Sequence, residues 1–396
     1  MNNKISERID WQLIFYLLVF GIVSCISIWS AQSSGQYGGN FVSKQIFWYV
    51  IGTGIIAVMT IFDTDRYRKL TWYLYGVGNF SLLVLWLSPA KIAPVINGQK
   101  SWFRLPGDIT IQPSEFMKVL FILALSKVIA DHHKKYSEKT IQTDFQLLFK
   151  IGLTLALPLF LIMQQPDLGT SLVFLAITAG MIIVSGISWK IVLPIYGLVA
   201  AIGVTAIALV LKAPKFLQET FGVAPYQLGR IYSWLDPLNY QTSEGYHLTK
   251  SIRAIGSGML TGKVNTDEGI GNRQVYIPES HTDFIFSVIG EEFGFIGTSF
   301  VVSLFFLLIY HLIKISLGTN KDFNVYICSG VVSMIAFHVL QNIGMTIQLV
   351  PITGIPLPFI SYGGSSLMAN MFAMGIIFSI RFHHKNYMFN STKDLE

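Results

Sequence analysis

Apolar residues run through this chain in long blocks parted by short polar stretches. Ten runs stand out, at residues 11–31, 45–62, 70–88, 114–131, 147–163, 168–185, 189–211, 283–315, 323–350 and 361–382. Several approach the minimum a helix needs to cross a bilayer, and the eighth is long enough to tilt or to extend past the lipid. The pattern predicts an all-α polytopic membrane protein with ten transmembrane helices. Residues 1–396 read as a single integral membrane domain, and 212–282 as a large extracellular loop between helices 7 and 8. No repeat spans the chain, so the usual signature of an inverted-repeat transporter is missing. The first run, Trp11 to Ala31, is too long for the apolar core of a cleavable signal.

Composition agrees: 52% of residues are hydrophobic, 13% are charged, and mean hydropathy is +0.54. The net charge of +6 is scattered over short loops, which argues against a nucleic-acid partner and for a topological signal. With the N-terminus inside, Lys4, Arg8, Arg66, Arg68, Lys69, Lys134, Lys135, Lys139, Lys190, Lys314, Lys321, Arg381 and Lys385 fall on one side. Both termini are therefore expected in the cytoplasm. Residues 89–113, Gln164 to Asp167, 212–282 and 351–364 then share the outer face. The 212–282 segment is itself basic, but it exceeds the loop length over which the charge rule holds. Cys25 and Cys328 lie in apolar runs and read as packing residues. The paired histidines, His132 with His133 and His383 with His384, lack zinc-site spacing.

The outer segments carry the unusual chemistry. His281, Thr282 and Asp283 end a polar stretch where the eighth run begins, so Asp283 sits at the mouth of a membrane helix. Ser280, Thr282 or Asp283 could cap that helix. The alternative is a general base, a carboxylate held between a helix N-terminus that favours its charge and apolar surroundings that oppose it. Glu291 and Glu292 lie roughly 12 to 13 Å deeper, too far to form a dyad with Asp283, and should line an interior. Glu115 and Lys118 are three apart and share a helix face. Lys118 with Arg104 makes a plausible phosphate or pyrophosphate site, while Trp102 and Phe103 flank a Pro106–Gly107 turn or belong to an interfacial aromatic belt. Asp167, after Pro166, suits the N-cap of the sixth helix. Gly256, Gly258 and Gly262 before Lys263 match a phosphate-cradling loop only poorly. His338, Gln341, Asn342 and Gln348 are polar positions in an apolar helix, where interhelical hydrogen bonding is the default role.

Six stretches in order resemble the SEDS family of bacterial peptidoglycan glycosyltransferases, RodA and FtsW. They are WFRLPGDITIQPSEFMK (102–118), QPDLGTSLVF (165–174), WLDP (234–237), AIGSGMLTGK (254–263), IPESHTDFIFSVIGEEFGFIG (277–297) and NIGMTIQLVPITGIPLPFISYGGSSLMAN (342–370). The TGIPLPF form of the last stretch is most similar to RodA. Two positions depart from the family pattern: Val264, where Gly is usual, and Gln348, where a small residue is common.

The resemblance implies polymerisation of glycan strands from lipid II on the outer face of the bacterial cytoplasmic membrane, in support of cell elongation and shape. It makes Asp283 the catalytic base. Trp102, Arg104, Glu115, Lys118, Lys263 and His281 become candidate substrate-binding residues, with polyprenyl pyrophosphate leaving. A divalent cation, magnesium or manganese, would be reasonable chemistry, though no ligand set is legible. Expected partners are a class B penicillin-binding protein, the elongation machinery and membrane lipid. Two alternatives place the protein in other classes: a lipid II flippase, using Glu291, Glu292 and His338 as a polar path, or a non-catalytic scaffold for the transpeptidase.

Overall fold

A computed structural model describes residues 8–33, 39–96, 98–106, 109–136, 138–221, 225–237, 239, 244–263 and 277–390; Lys4, Gly107 and Val264 lie outside them. Each of the ten apolar runs coincides with one helix. These are α1 (Trp11–Ser33), α2 (Phe41–Ile61), α3 (Thr64–Leu87), α4 (Pro113–Lys135), α5 (Ile141–Met163), α6 (Leu168–Val184) and α7 (Trp189–Lys212). Three short helices follow, α8 (Pro214–Phe221), α9 (Pro225–Leu235) and α10 (Glu244–Ser257), so the described part of the long loop is largely helical. Then come α11 (Ile285–Leu317), α12 (Asp322–Thr346) and α13 (Gly364–Asn390).

Eight of the ten are long and apolar enough to cross a membrane. The other two are α6, apolar but only 17 residues long, and α4, which carries Glu115, Lys118, Lys127 and Asp131. Burial explains how α4 tolerates charge. Fifteen of its residues, Glu115 and Lys118 among them, are shielded inside the bundle. By contrast α7 buries only Ile191, Val192 and Val210 and presents its other faces outward, as a lipid-facing helix does. Small residues let neighbouring helices approach closely. A Cβ at Gly180 would sit 1.9 Å from Ser333 Oγ, and one at Gly52 2.7 Å from Met371 Cγ.

Two local features shape the end of the bundle where the polar segments meet. An antiparallel hairpin, β1 (Phe103–Leu105) with β2 (Ile109–Ile111), leads into α4, which starts with Pro113 at a position where its missing N–H costs nothing. Helix α11 is broken at Gly294, whose φ of 60° and ψ of −156° are accessible only to glycine. The chain after α10 fills the break: Phe295 N–H donates to the Met259 carbonyl (2.9 Å) and Ile296 N–H to that of Leu260 (3.1 Å). These bonds supply acceptors that the interrupted helix no longer provides. The other end of the bundle gathers contacts between basic and acidic side chains at or near helix ends, His311 with Asp10, Lys321 with Asp65 and Arg68 with Asp131.

Candidate active site

Residues 277–284 form a run of turns ahead of α11, and side chains from distant helices fix them. Asn342 Nδ2 on α12 donates to the carbonyls of both Asp283 and Ile355, each at 2.8 Å. Ser361 Oγ donates to the Thr282 carbonyl (2.6 Å), and Tyr362 N–H to the His281 carbonyl (2.9 Å). The TGIPLPFISY stretch is thereby stitched to the segment that carries Asp283. A Cβ at Gly354, where φ is +71°, would lie 3.3 Å from Asp283 Oδ2, so glycine lets the backbone back directly onto the carboxylate.

The capping expectation is not met. Phe284 occupies the boundary position of α11 and no side chain caps it. Thr282 Oγ1 instead lies 3.2 Å from the Glu279 carbonyl and 3.1 Å from its carboxylate. Asp283 lines a cavity of about 590 Å³. Burial pushes its carboxyl up to about 7, Glu279 adds repulsion, and the Arg230 charge opposes both.

Trp102, Glu115 and Lys118 line the same cavity. Lys118 Nζ donates to Glu115 Oε1 at 2.8 Å, the same-face pair that their spacing predicts, and lies 3.1 Å from His338 Nε2 on α12. Asp167 caps α6 as expected, accepting from the Thr170 N–H (2.9 Å) and hydroxyl (2.8 Å). It also lines the cavity and takes a hydrogen bond from Gln112 Nε2 at 3.1 Å; burial raises its pKa.

The remaining three candidates sit elsewhere. Arg104 is exposed on β1, with its N–H on the Ile92 carbonyl, and is not part of the lining. His281 packs its ring against Phe41 and Tyr362, with centroids 4.6 and 5.6 Å apart, and burial lowers its pKa. Lys263 Nζ binds Glu291 Oε1 at 2.7 Å beside the break in α11, and Glu292 Oε1 accepts from Ser30 Oγ at 2.6 Å. Both glutamates are buried, as their depth implies, but neither lines the cavity.

The sequence reading left out several lining residues, namely Lys44, Gln112, Arg230, Glu279 and Thr353, and it gave His338 only as interhelical glue or as part of a flippase's polar path. Glu279 belongs to a stretch already singled out and Arg230 lies four residues before another, but nothing in the local pattern aims them at Asp283. Among the described residues no three of His, Cys, Asp and Glu converge as a metal-binding set, so the cation expectation finds no fitting site there.

The chain matches the family described as Cell cycle protein, FtsW/RodA/SpoVE, over residues 7–386. It is 36% identical over 371 residues to stage V sporulation protein E of Bacillus subtilis (strain 168), which covers 92% of this chain and 93% of that one. It is 29% identical over 432 residues to peptidoglycan glycosyltransferase RodA of Treponema pallidum (strain Nichols), covering 94% and 97%. Among solved structures it is similar to a chain from a peptidoglycan synthase complex whose description concerns the coordination of polymerization and crosslinking. That likeness has a TM-score of 0.74 at 25% identity and covers 94% of this chain and 97% of that one. With the family match running almost from end to end, this chain belongs to the FtsW/RodA/SpoVE family.

Proposed function

We propose that the protein is a peptidoglycan glycosyltransferase that polymerises glycan strands from lipid II, with Asp283 as general base. The observation that carries this reading is the position of Asp283, half-buried on the wall of the cavity with its pKa brought to about 7, where a carboxylate can take up a proton at working pH. The acceptor GlcNAc hydroxyl gives its proton to the Asp283 carboxylate as its oxygen bonds to the anomeric carbon of the donor chain. The bond from that carbon to the pyrophosphate oxygen breaks on the opposite side, so the configuration inverts and polyprenyl pyrophosphate leaves.

Lys118, fixed by Glu115, is the cation within the cavity best suited to the leaving pyrophosphate, and Trp102 offers a ring face on which a sugar can stack. Arg104, Lys263 and His281 stand outside the lining and would meet substrate only beyond it. A divalent cation has no ligand set among the described residues.

The basic loops argue for a cavity facing out of the bacterial cytoplasmic membrane with both termini inside. The likeness to a synthase complex argues for a class B penicillin-binding protein as partner, and the TGIPLPF stretch for service in cell elongation. The test is polymer formation from lipid II by purified wild type and Asp283→Asn, each with the partner transpeptidase present. The variant is expected to fold and insert but to lose at least about a thousandfold in rate. Polymerisation at the wild-type rate would remove Asp283 from the chemistry.

A further inference from the structure

His338 is 1% exposed in the middle of α12, and its two ring nitrogens face different partners. Nδ1 lies 2.7 Å from the Met334 carbonyl one turn earlier, and a carbonyl can only accept, so Nδ1 carries the proton. Nε2 lies 3.1 Å from Lys118 Nζ, which has no lone pair to offer when charged, so Nε2 is the acceptor and Lys118 the donor. Lys118 also donates to Glu115 Oε1. Two of its three N–H bonds are thus held from two helices, α4 and α12, and the third is available to the cavity that all three residues line.

A lysine on one acceptor keeps much of the freedom of its four-carbon stem. A second acceptor on another helix removes that freedom and sets the direction of the remaining N–H. We propose that His338 is a positioning residue that, with Glu115, aims the Lys118 ammonium at the pyrophosphate of the polyprenyl-linked donor. This rests on the reading of Lys118 given under Proposed function. A histidine that only joined helices would act independently of Lys118.

The full-length purified protein is assayed for polymer formation, and for inhibition by a short-chain polyprenyl pyrophosphate and the matching monophosphate. Lys118→Met is expected to abolish the preference for pyrophosphate over monophosphate. His338→Leu should cut that preference about tenfold and raise KM for the donor by a similar factor. His338→Gln, which can place an oxygen where Nε2 lies, should stay within about threefold of wild type. In the Lys118→Met background, His338→Leu should add no further loss of preference, since the two act as a unit.

If Lys118→Met keeps the preference, the reading of Lys118 fails and this inference falls with it. If Lys118→Met loses it while His338→Leu keeps it, the inference alone is overturned. Should His338→Leu not fold, His338→Gln is compared with His338→Asn, whose amide is too short to reach Lys118. Equal behaviour of those two variants also overturns the inference.

Discussion

At the scale of single residues, Asp283 carries opposite consequences for chemistry and for stability. As the proposed general base it must be deprotonated, and its pKa of about 7 sets where that happens. Polymerisation kcat/KM should therefore climb about tenfold per pH unit below 7 and flatten above it; a profile already flat at pH 5 would contradict that assignment. Stability follows the other sign. An unfolded aspartate releases its proton near 3.8 and the folded one near 7, so between these values the folded state binds more protons. Stability contributed by this group then falls as pH rises through that window and is level beyond it. Asp283→Asn should accordingly unfold at a higher temperature than wild type at pH 8, by the equivalent of about 2 kcal/mol once solvent screening is allowed for, and differ little at pH 4. A residue-scale surprise was half legible. Gln348 departs from the small residue usual in its family, and its φ of +66° shows why glycine would be at ease there. Its side chain compensates: Gln348 Nε2 donates to the Trp234 carbonyl (2.9 Å) while Trp234 Nε1 donates to that of Gln348 (3.0 Å). The WLDP stretch and the end of α12 are joined by a contact that spans more than a hundred residues and leaves no trace in either local pattern.

At the scale of elements, the break in α11 shows what hydrophobic periodicity misses. The apolar run, broken only by Glu291 and Glu292, continues past Gly294 to Ile315, so the sequence predicts one long helix; the backbone turns over at that glycine because the chain from Gly258 to Gly262 occupies its place. Two of the three glycines read as a poor phosphate loop, Gly258 and Gly262, have a steric purpose. A Cβ on Gly258 would sit 1.9 Å from the Gly290 carbonyl oxygen, and one on Gly262 2.0 Å from that of Glu292. Backbone lies against backbone, and the pair between half-buried Lys263 and buried Glu291 closes the joint. Gly294→Ala puts a methyl 2.5 Å from the Gly262 nitrogen in a conformation costing about 1 to 3 kcal/mol in strain alone. The expected outcome is a thermal midpoint lowered by several degrees, with protease cleavage accelerated between α10 and α11. Gly256→Ala, whose Cβ would meet nothing within 4 Å, is the control and should leave both unchanged. If the two variants behave alike, the joint does not depend on close backbone contact.

At the scale of the whole molecule, the pattern of apolar runs located every long helix because lipid exposure demands about twenty apolar residues wherever a helix crosses, and that demand is local. The placement of loops by charge also grouped polar segments that do meet, since Thr282, Asp167, Trp102 and Thr353, one from each, line one cavity. What closes the bundle was not legible, because it is made of single polar contacts between helices remote in sequence. Asp10 is the clearest case. It lies just before α1, yet its carboxylate takes His311 Nε2 of α11 at 2.9 Å, lies 3.8 Å from Arg381 Nε of α13, and caps Leu13 N–H at 3.0 Å. Burial pushes this carboxyl up, but the hydrogen bonds from His311 and Leu13 and the charges of His311 and Arg381 outweigh it and hold the pKa below 3.8. For a carboxylate so lowered, the stabilisation is complete above 3.8 and disappears only as pH falls through the still lower folded value. Asp10→Asn keeps a side chain able to cap α1 but gives up the ionic partner, whereas Asp10→Ala gives up both. Thermal unfolding in detergent at pH 7 should therefore rank wild type above Asp10→Asn and Asp10→Ala last, about 2 to 4 kcal/mol below wild type. The same order should hold at pH 6 and pH 8, where the carboxylate of wild type stays ionised. If Asp10→Asn proves as stable as wild type, first and last helices are held together by apolar packing alone, and the charge at this end serves only to set which way the chain inserts.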